Sequence, residues 1–116
     1  MSQYKIFDMS FSSVYPLYLK KVERKGRTKE ELDIVITWLT GYTKEEIIII
    51  NRSDQTFREF FEKAPEINKN TSLIKGVICG YRVEDIEDPL MQKIRYLDKL
   101  VDELAKGKKI EKVLRK

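Results

Sequence analysis

A chain of 116 residues can bury one core but not two, and with 36% charged residues its elements must keep solvated outer faces. Five Gly and three Pro leave few tight turns, which argues against a sandwich or barrel. No apolar run approaches bilayer length or signal-peptide character, and the single cysteine makes no internal disulfide, so the expected setting is the reducing cytoplasm, without membrane contact.

The net charge of +4 is unevenly placed. Lys20 to Lys29 holds six basic residues against Glu23, and Lys106 to Lys116 holds six against Glu111. Glu84, Asp85, Glu87 and Asp88 form an acidic knot. Solvated helix faces and a solubilising tail account for this in the plainest way; contact with an anionic partner is the alternative.

Residues 1–10 alternate loosely, with Tyr4, Ile6 and Phe7 as apolar points, and read as an N-terminal arm lying extended on the core. Ser12 or Ser13 then caps a first helix with Pro16 in its first turn. Its inward face is Val14, Leu17, Tyr18 and Val22, and Gly26 stops it. Thr28-Lys29-Glu30-Glu31 is a capping box opening a second helix, with Leu32, Val35, Ile36 and Leu39 inward, Trp38 on the flank and Gly41 at the end. A second box, Thr43-Lys44-Glu45-Glu46, opens a third. Ile47 to Ile50 would suit a strand, but the box upstream and Asn51-Arg52-Ser53-Asp54 downstream leave room only for two helical turns, partly facing solvent.

Ser53 or Asp54 is expected to cap a fourth helix carrying Phe57, Phe60 and Phe61 and ended by Pro65. After a turn at Asn68 to Thr71, Ser72 to Cys79 reads as a short buried helix ending at Gly80, with Gly76 marking a close helix–helix contact. The longest helix, about Pro89 to Lys106, follows the acidic knot. Asp88 is its cap, Pro89 its first residue, and Leu90, Ile94, Leu97, Val101 and Leu104 its apolar stripe, widened by Met91 and Leu100. Lys93, Asp98, Lys99, Asp102, Glu103 and Lys106 should meet water on the opposite face. Ile110, Val113 and Leu114 give one last helical turn in a basic C-terminal extension, residues 107–116. The sum is a single all-α domain, a small orthogonal bundle of about five to seven helices.

The strings SVYPLYLKKVERKGRTKEELD, WLTGY, SLIKGVICGYRVEDIEDPLMQKIRYLDKL and DELAKGKKIEKVLRK resemble a bacterial family of unknown function, DUF2200. The resemblance runs from about Ile6 to Lys116 and is weakest at Ile47 to Thr56. It implies a small, all-helical orthogonal bundle and no particular activity.

The chain has no histidine, which removes the commonest general base, the usual triad partner and most zinc sites. Cys79, among Leu73, Val77 and Ile78, reads as a buried, inert thiol. The acidic knot lacks the spacing and turn glycine of an EF-hand, so capping and ion pairs with Arg82 or the basic tail are expected. Glu84 and Glu87 would need a pocket to act as an acid/base pair. No phosphate loop exists; Lys69 and Lys75 near the start of the Ser72 segment offer only a weak anion site. No catalytic residue, metal ligand or cofactor is therefore assigned.

Amphipathic anchors are plentiful. Tyr81-Arg82 and Arg95-Tyr96 are expected to converge on one groove suited to a carboxylate, phosphate or peptide. The first expectation is a non-enzymatic module holding an unknown protein or peptide partner in a groove edged by Tyr15, Trp38, Tyr42, Arg82 and Tyr96, with Lys75, Tyr81 and Arg95 as further binding candidates. The second is nucleic-acid binding through residues 20–29 and 106–116. It is less favoured, because the helix–turn–helix phrasing at Thr28 to Ile50 gives an Ile-rich, acidic reading helix. The third is an enzyme or binder of a small anionic ligand, using Arg82, Tyr81, Glu84 and Glu87. The Ile47 to Ile50 face leaves a homodimer open.

Overall fold

The structure, a computed structural model, describes residues 2–115, with side chains from Lys5 onward. In chain order the α-helices are α1 (Ser2–Asp8), α2 (Phe11–Glu23), α3 (Lys29–Thr40), α4 (Lys44–Ile50), α5 (Phe57–Glu62), α6 (Pro89–Ala105) and α7 (Ile110–Val113). Between α5 and α6 lie two 3-10 turns, Lys69–Leu73 and Val83–Asp85, flanking a hairpin of β1 (Val77–Ile78) and β2 (Tyr81–Arg82). The protein is mostly α, as its helical signals predict, with one small antiparallel sheet that they do not.

The helix α6 begins where its local signals place it: Asp88 Oδ1 accepts the Met91 amide at 2.9 Å, and Pro89 sits in the first turn. Ile94, Leu97, Leu100 and Leu104 are fully buried, and the helix packs against α2, α3, α5, α7 and the hairpin. Surrounded in this way, α6 does not turn its polar face to bulk water. Neighbours cover it with matched groups: Lys21 reaches Asp102 at 3.3 Å, Arg115 grips buried Glu103, the Tyr18 hydroxyl donates to Asp98, and Lys99 Nζ donates to the Val77 carbonyl at 3.3 Å. Charge at these positions is compatible with burial because each is paired.

The start of the chain is helical rather than an extended arm. Ile6 and Phe7 anchor α1 against α5, with Phe7 buried and the Arg58 guanidinium 5.1 Å from its ring centre. The Tyr4 side chain lies outside the described residues. Two backbone bonds, Phe11 N–H to the Gln55 carbonyl and Phe57 N–H to the Met9 carbonyl, both 2.9 Å, tie the junction of α1 and α2 to the start of α5.

Helix α2 consequently starts one turn early. Ser10 holds the cap position, Pro16 lies inside the helix, and the buried face is Phe11, Val14, Tyr15, Tyr18 and Val22. Leu17, expected inward, is 60% exposed, since a stripe begun at Phe11 rotates it to the surface. At the other end, Arg27 N–H bonds the Val22 carbonyl and Gly26 N–H the Glu23 carbonyl, the paired closure that a left-handed glycine permits.

Both expected capping boxes form at Thr28 and Thr43, and a third forms at Thr56 with Glu59, displacing Ser53 and Asp54 as the cap of α5. Ile47 and Ile50 are buried while Ile48 and Ile49 are exposed, so the isoleucine run is helical with one face in solvent. Gly41 ends α3 at φ 81°, where a Cβ would stand 3.0 Å from the Glu66 nitrogen. That close approach lets Glu66 and Asn68 amides cap the Thr40 and Leu39 carbonyls at 3.0 Å.

The segment from Ser72 to Cys79 is not an α-helix: the 3-10 turn ends at Leu73 and a strand follows at Val77. Gly76 has φ 115°, outside any helical conformation, and faces the Lys99 side chain rather than another helix backbone. Val77 pairs with Arg82 and Ile78 with Tyr81, and Cys79 (φ 53°) and Gly80 (φ 84°) supply the two left-handed positions of a two-residue hairpin turn. Cys79 at its tip is exposed, not buried. No described helix is long and apolar enough to cross a membrane.

Candidate functional site

The hairpin, the acidic bend after it and the first turns of α6 enclose an open cleft of about 560 Å³. Its rim on the hairpin side carries Tyr81 (59% exposed) and Arg82, whose side chain is 67% exposed. Asp85, Glu87 and Asp88 line the bend, and Ile86, Met91 and Arg95 complete the wall.

Local bonding sets which of these groups are free. Glu84 Oε1 accepts the Gly76 amide at 3.0 Å and clasps the hairpin base; that bond holds its carboxyl below the ordinary range. Gln92 Nε2 donates to the Val83 carbonyl at 3.1 Å and fixes the bend to α6. Asp88 is occupied as the α6 cap. Arg95 donates to Asp98 at 2.7 Å, and its Nη1 lies 3.6 Å from Cys79 Sγ. Arg82 has only a long contact with Glu84, 3.7 Å, which at this exposure binds weakly. Asp85 and Glu87 take part in no ion pair among the described residues. No three acidic or thiol groups among the described residues are arranged to hold a metal ion.

Of the expected binding residues, Tyr81, Arg82 and Arg95 do converge, whereas the other expected anchors do not line this cleft. Tyr15, Tyr42 and Tyr96 are buried in the core. The Tyr15 hydroxyl donates to Asp33, and the Tyr42 hydroxyl to the Phe60 carbonyl at 2.6 Å. Trp38 is half-buried against the core, and Lys75 is exposed. The groove expected along Tyr15, Trp38, Tyr42 and Tyr96 is thus replaced by the cleft at the hairpin. Glu84 lies outside the cleft lining, with its Oε1 on the Gly76 amide, while Glu87 lines the bend. Asp85 belongs to the acidic knot marked in the sequence and Met91 to the widened α6 stripe, whereas Ile86 carries no sequence signal as a lining residue.

The buried phenols have a measurable consequence. Burial, reinforced by Asp33 for Tyr15 and by Asp98 for Tyr18, pushes both hydroxyls above their ordinary value of 10.0, and burial does the same for Tyr42 and Tyr96. Above that pH the unfolded chain gives up these protons while the folded chain keeps them. The folded state then binds more protons, so stability falls as pH rises past about 10. Tyrosinate absorbance from Tyr15 and Tyr18 should appear only together with loss of the helical circular dichroism signal. Absorbance from these two while the helices persist would contradict their placement.

With the fold and cleft established, comparison with known proteins is direct. The family described as "Uncharacterized protein conserved in bacteria (DUF2200)" matches residues 5–115. The chain belongs to this family. The DUF2200 fold is also that of the crystal structure of uncharacterized protein SP1917, at a TM-score of 0.91 and 47% identity, covering 96% of this chain and 91% of that one. No curated protein matches the DUF2200 chain.

Proposed function

We propose that this DUF2200 protein is a non-enzymatic binding domain that holds a segment of a protein or peptide partner in the cleft beside the hairpin. The observation that carries this reading is the convergence of Tyr81, Arg82 and Arg95 on one open cleft with apolar Ile86 and Met91 in its wall. An exposed tyrosine and a weakly paired guanidinium beside apolar side chains are the anchors that peptide recognition uses most. The volume suits a few residues of chain.

Asp85, Glu87 and Asp88 weigh against the alternative of a small anionic ligand, because three carboxylates would repel it. A mixed-charge wall favours a longer segment that carries both signs. A reducing cytoplasm suits the exposed Cys79 thiol at the hairpin tip.

The test begins with a partner captured from the native cell and a peptide mapped from it. Tyr81→Ala with Arg82→Ala should raise the Kd of that peptide at least about tenfold, roughly the 1.4 kcal/mol of a modest hot spot, with circular dichroism unchanged. An unaltered Kd would put the binding site elsewhere on the molecule.

A further inference from the structure

The two basic stretches lie about eighty residues apart in sequence, yet they adjoin in the fold. Lys21 of α2 and Lys106 after α6 share one carboxylate, Asp102, at 3.3 and 3.1 Å. Arg27, in the loop after α2, donates to the Leu104 carbonyl at 3.0 Å and the Lys108 carbonyl at 2.8 Å, closing the C-terminal end of α6. The end of α2, the α2–α3 loop and the α6–α7 loop therefore form one continuous surface.

Its charge is out of proportion to its size. Each stretch carries five net positive charges, ten together; less the four carboxylates from outside the stretches that pair with them, the surface holds +6 against +4 for the whole chain, so the remainder of the protein is at −2. Ion pairs neutralise part of the patch, through Glu31, Asp33, Asp102 and Glu103. Lys20, Arg24, Lys25, Lys109 and Lys112 are exposed and enter no ion pair among the described residues. The acidic bend stands at the other end of α6, about 25 Å away for a helix of this length.

We infer that this surface binds the phosphate backbone of double-stranded nucleic acid without reading its sequence. The chemistry of the patch selects this partner among polyanions. Its free cations are mostly lysines, point charges suited to phosphate, and no exposed aromatic ring lies among them to stack on unpaired bases. Leu17, at its edge, is the one exposed large apolar side chain of α2, too little to anchor the protein in a membrane interface or to centre a protein–protein contact. Charge separated along α6 would also orient the molecule, basic end toward the polyanion and cleft away from it. The site shares no residue with the cleft and stands or falls independently of it.

Fluorescence anisotropy with a labelled DNA duplex of random sequence tests the inference. With four or five phosphates neutralised, the association constant should fall roughly 150- to 500-fold between about 50 and 200 mM salt. The variant Lys20→Gln, Arg24→Gln, Lys25→Gln, Lys109→Gln, Lys112→Gln touches no ion pair among the described residues and should weaken binding at least tenfold at low salt and flatten that slope, while Asp85→Asn with Glu87→Gln should not weaken it. No binding at low salt, or binding undiminished in the five-site variant, would overturn the assignment. Vesicles containing phosphatidylserine bound as tightly as the duplex would overturn it in favour of a general anionic surface.

Discussion

Replacing Phe60 with alanine should destabilise the fold by about 3–5 kcal/mol, a large share of what a domain of this size possesses. The ring is fully buried and touches four others: stacked on Phe11 at 4.1 Å and 8°, edge-on to Phe57 and Phe61, and tilted against Tyr42 at 4.9 Å. Phe11 on α2 and Tyr42 after α3 are held apart from Phe57 and Phe61 on α5, so the partners cannot collapse together into the space the ring leaves. Denaturant unfolding should show the loss as a lower midpoint at unchanged slope. A cycle with Phe11→Ala should reveal a coupling of about 0.5–1.5 kcal/mol from the stacked pair. A cost for Phe60→Ala below about 1 kcal/mol would mean the cluster is not the junction between α2 and α5 that it resembles.

That junction could be half read from the sequence. Phe57, Phe60 and Phe61 announce themselves by spacing, and Thr28, Thr43 and Asp88 start their helices through bonds made within one turn. Signals of this range survive in any tertiary setting. Nothing local marks Phe11, because its role depends on backbone bonds from Phe11 to Gln55 and from Phe57 to Met9 across the chain. The hairpin failed for a related reason. Val77 and Ile78 favour a strand, but Cys-Gly is a poor advertisement for a two-residue turn, and a run of apolar residues of that length reads equally as helix.

The cleft shows the same division. Tyr81, Arg82 and Arg95 could be brought together on paper because a glycine turn at Gly80 had to fold one pair back over the start of α6. Tyr96 follows Arg95 directly, yet one helical step turns it by about 100° into the core, where burial claims it. Which side of α6 faced solvent could not be settled by periodicity, since its polar residues are covered by partners from α2, the hairpin and the C-terminus.

The pairing of Glu103 with Arg115 is the strongest case of a contact invisible to local patterns, and it predicts a second large effect. Arg115→Ala should cost about 3 kcal/mol, because Glu103 would stay buried with only Lys108, 3.7 Å away, to answer its charge. Both guanidinium arms engage that carboxylate, Nη2 at 2.8 Å, and Nη1 also donates to the Val113 carbonyl at 2.7 Å, which locks α7 and buried Leu114 onto α6. Most of the cost is thus an orphaned charge rather than a lost attraction. The two origins separate in a double variant: Glu103→Leu with Arg115→Met removes the pair together and should recover more than half of the single-variant loss. If the double variant is as unstable as Arg115→Ala alone, the pair contributes by attraction and geometry, and the C-terminal turn is held by charge rather than by the packing of Val113 and Leu114.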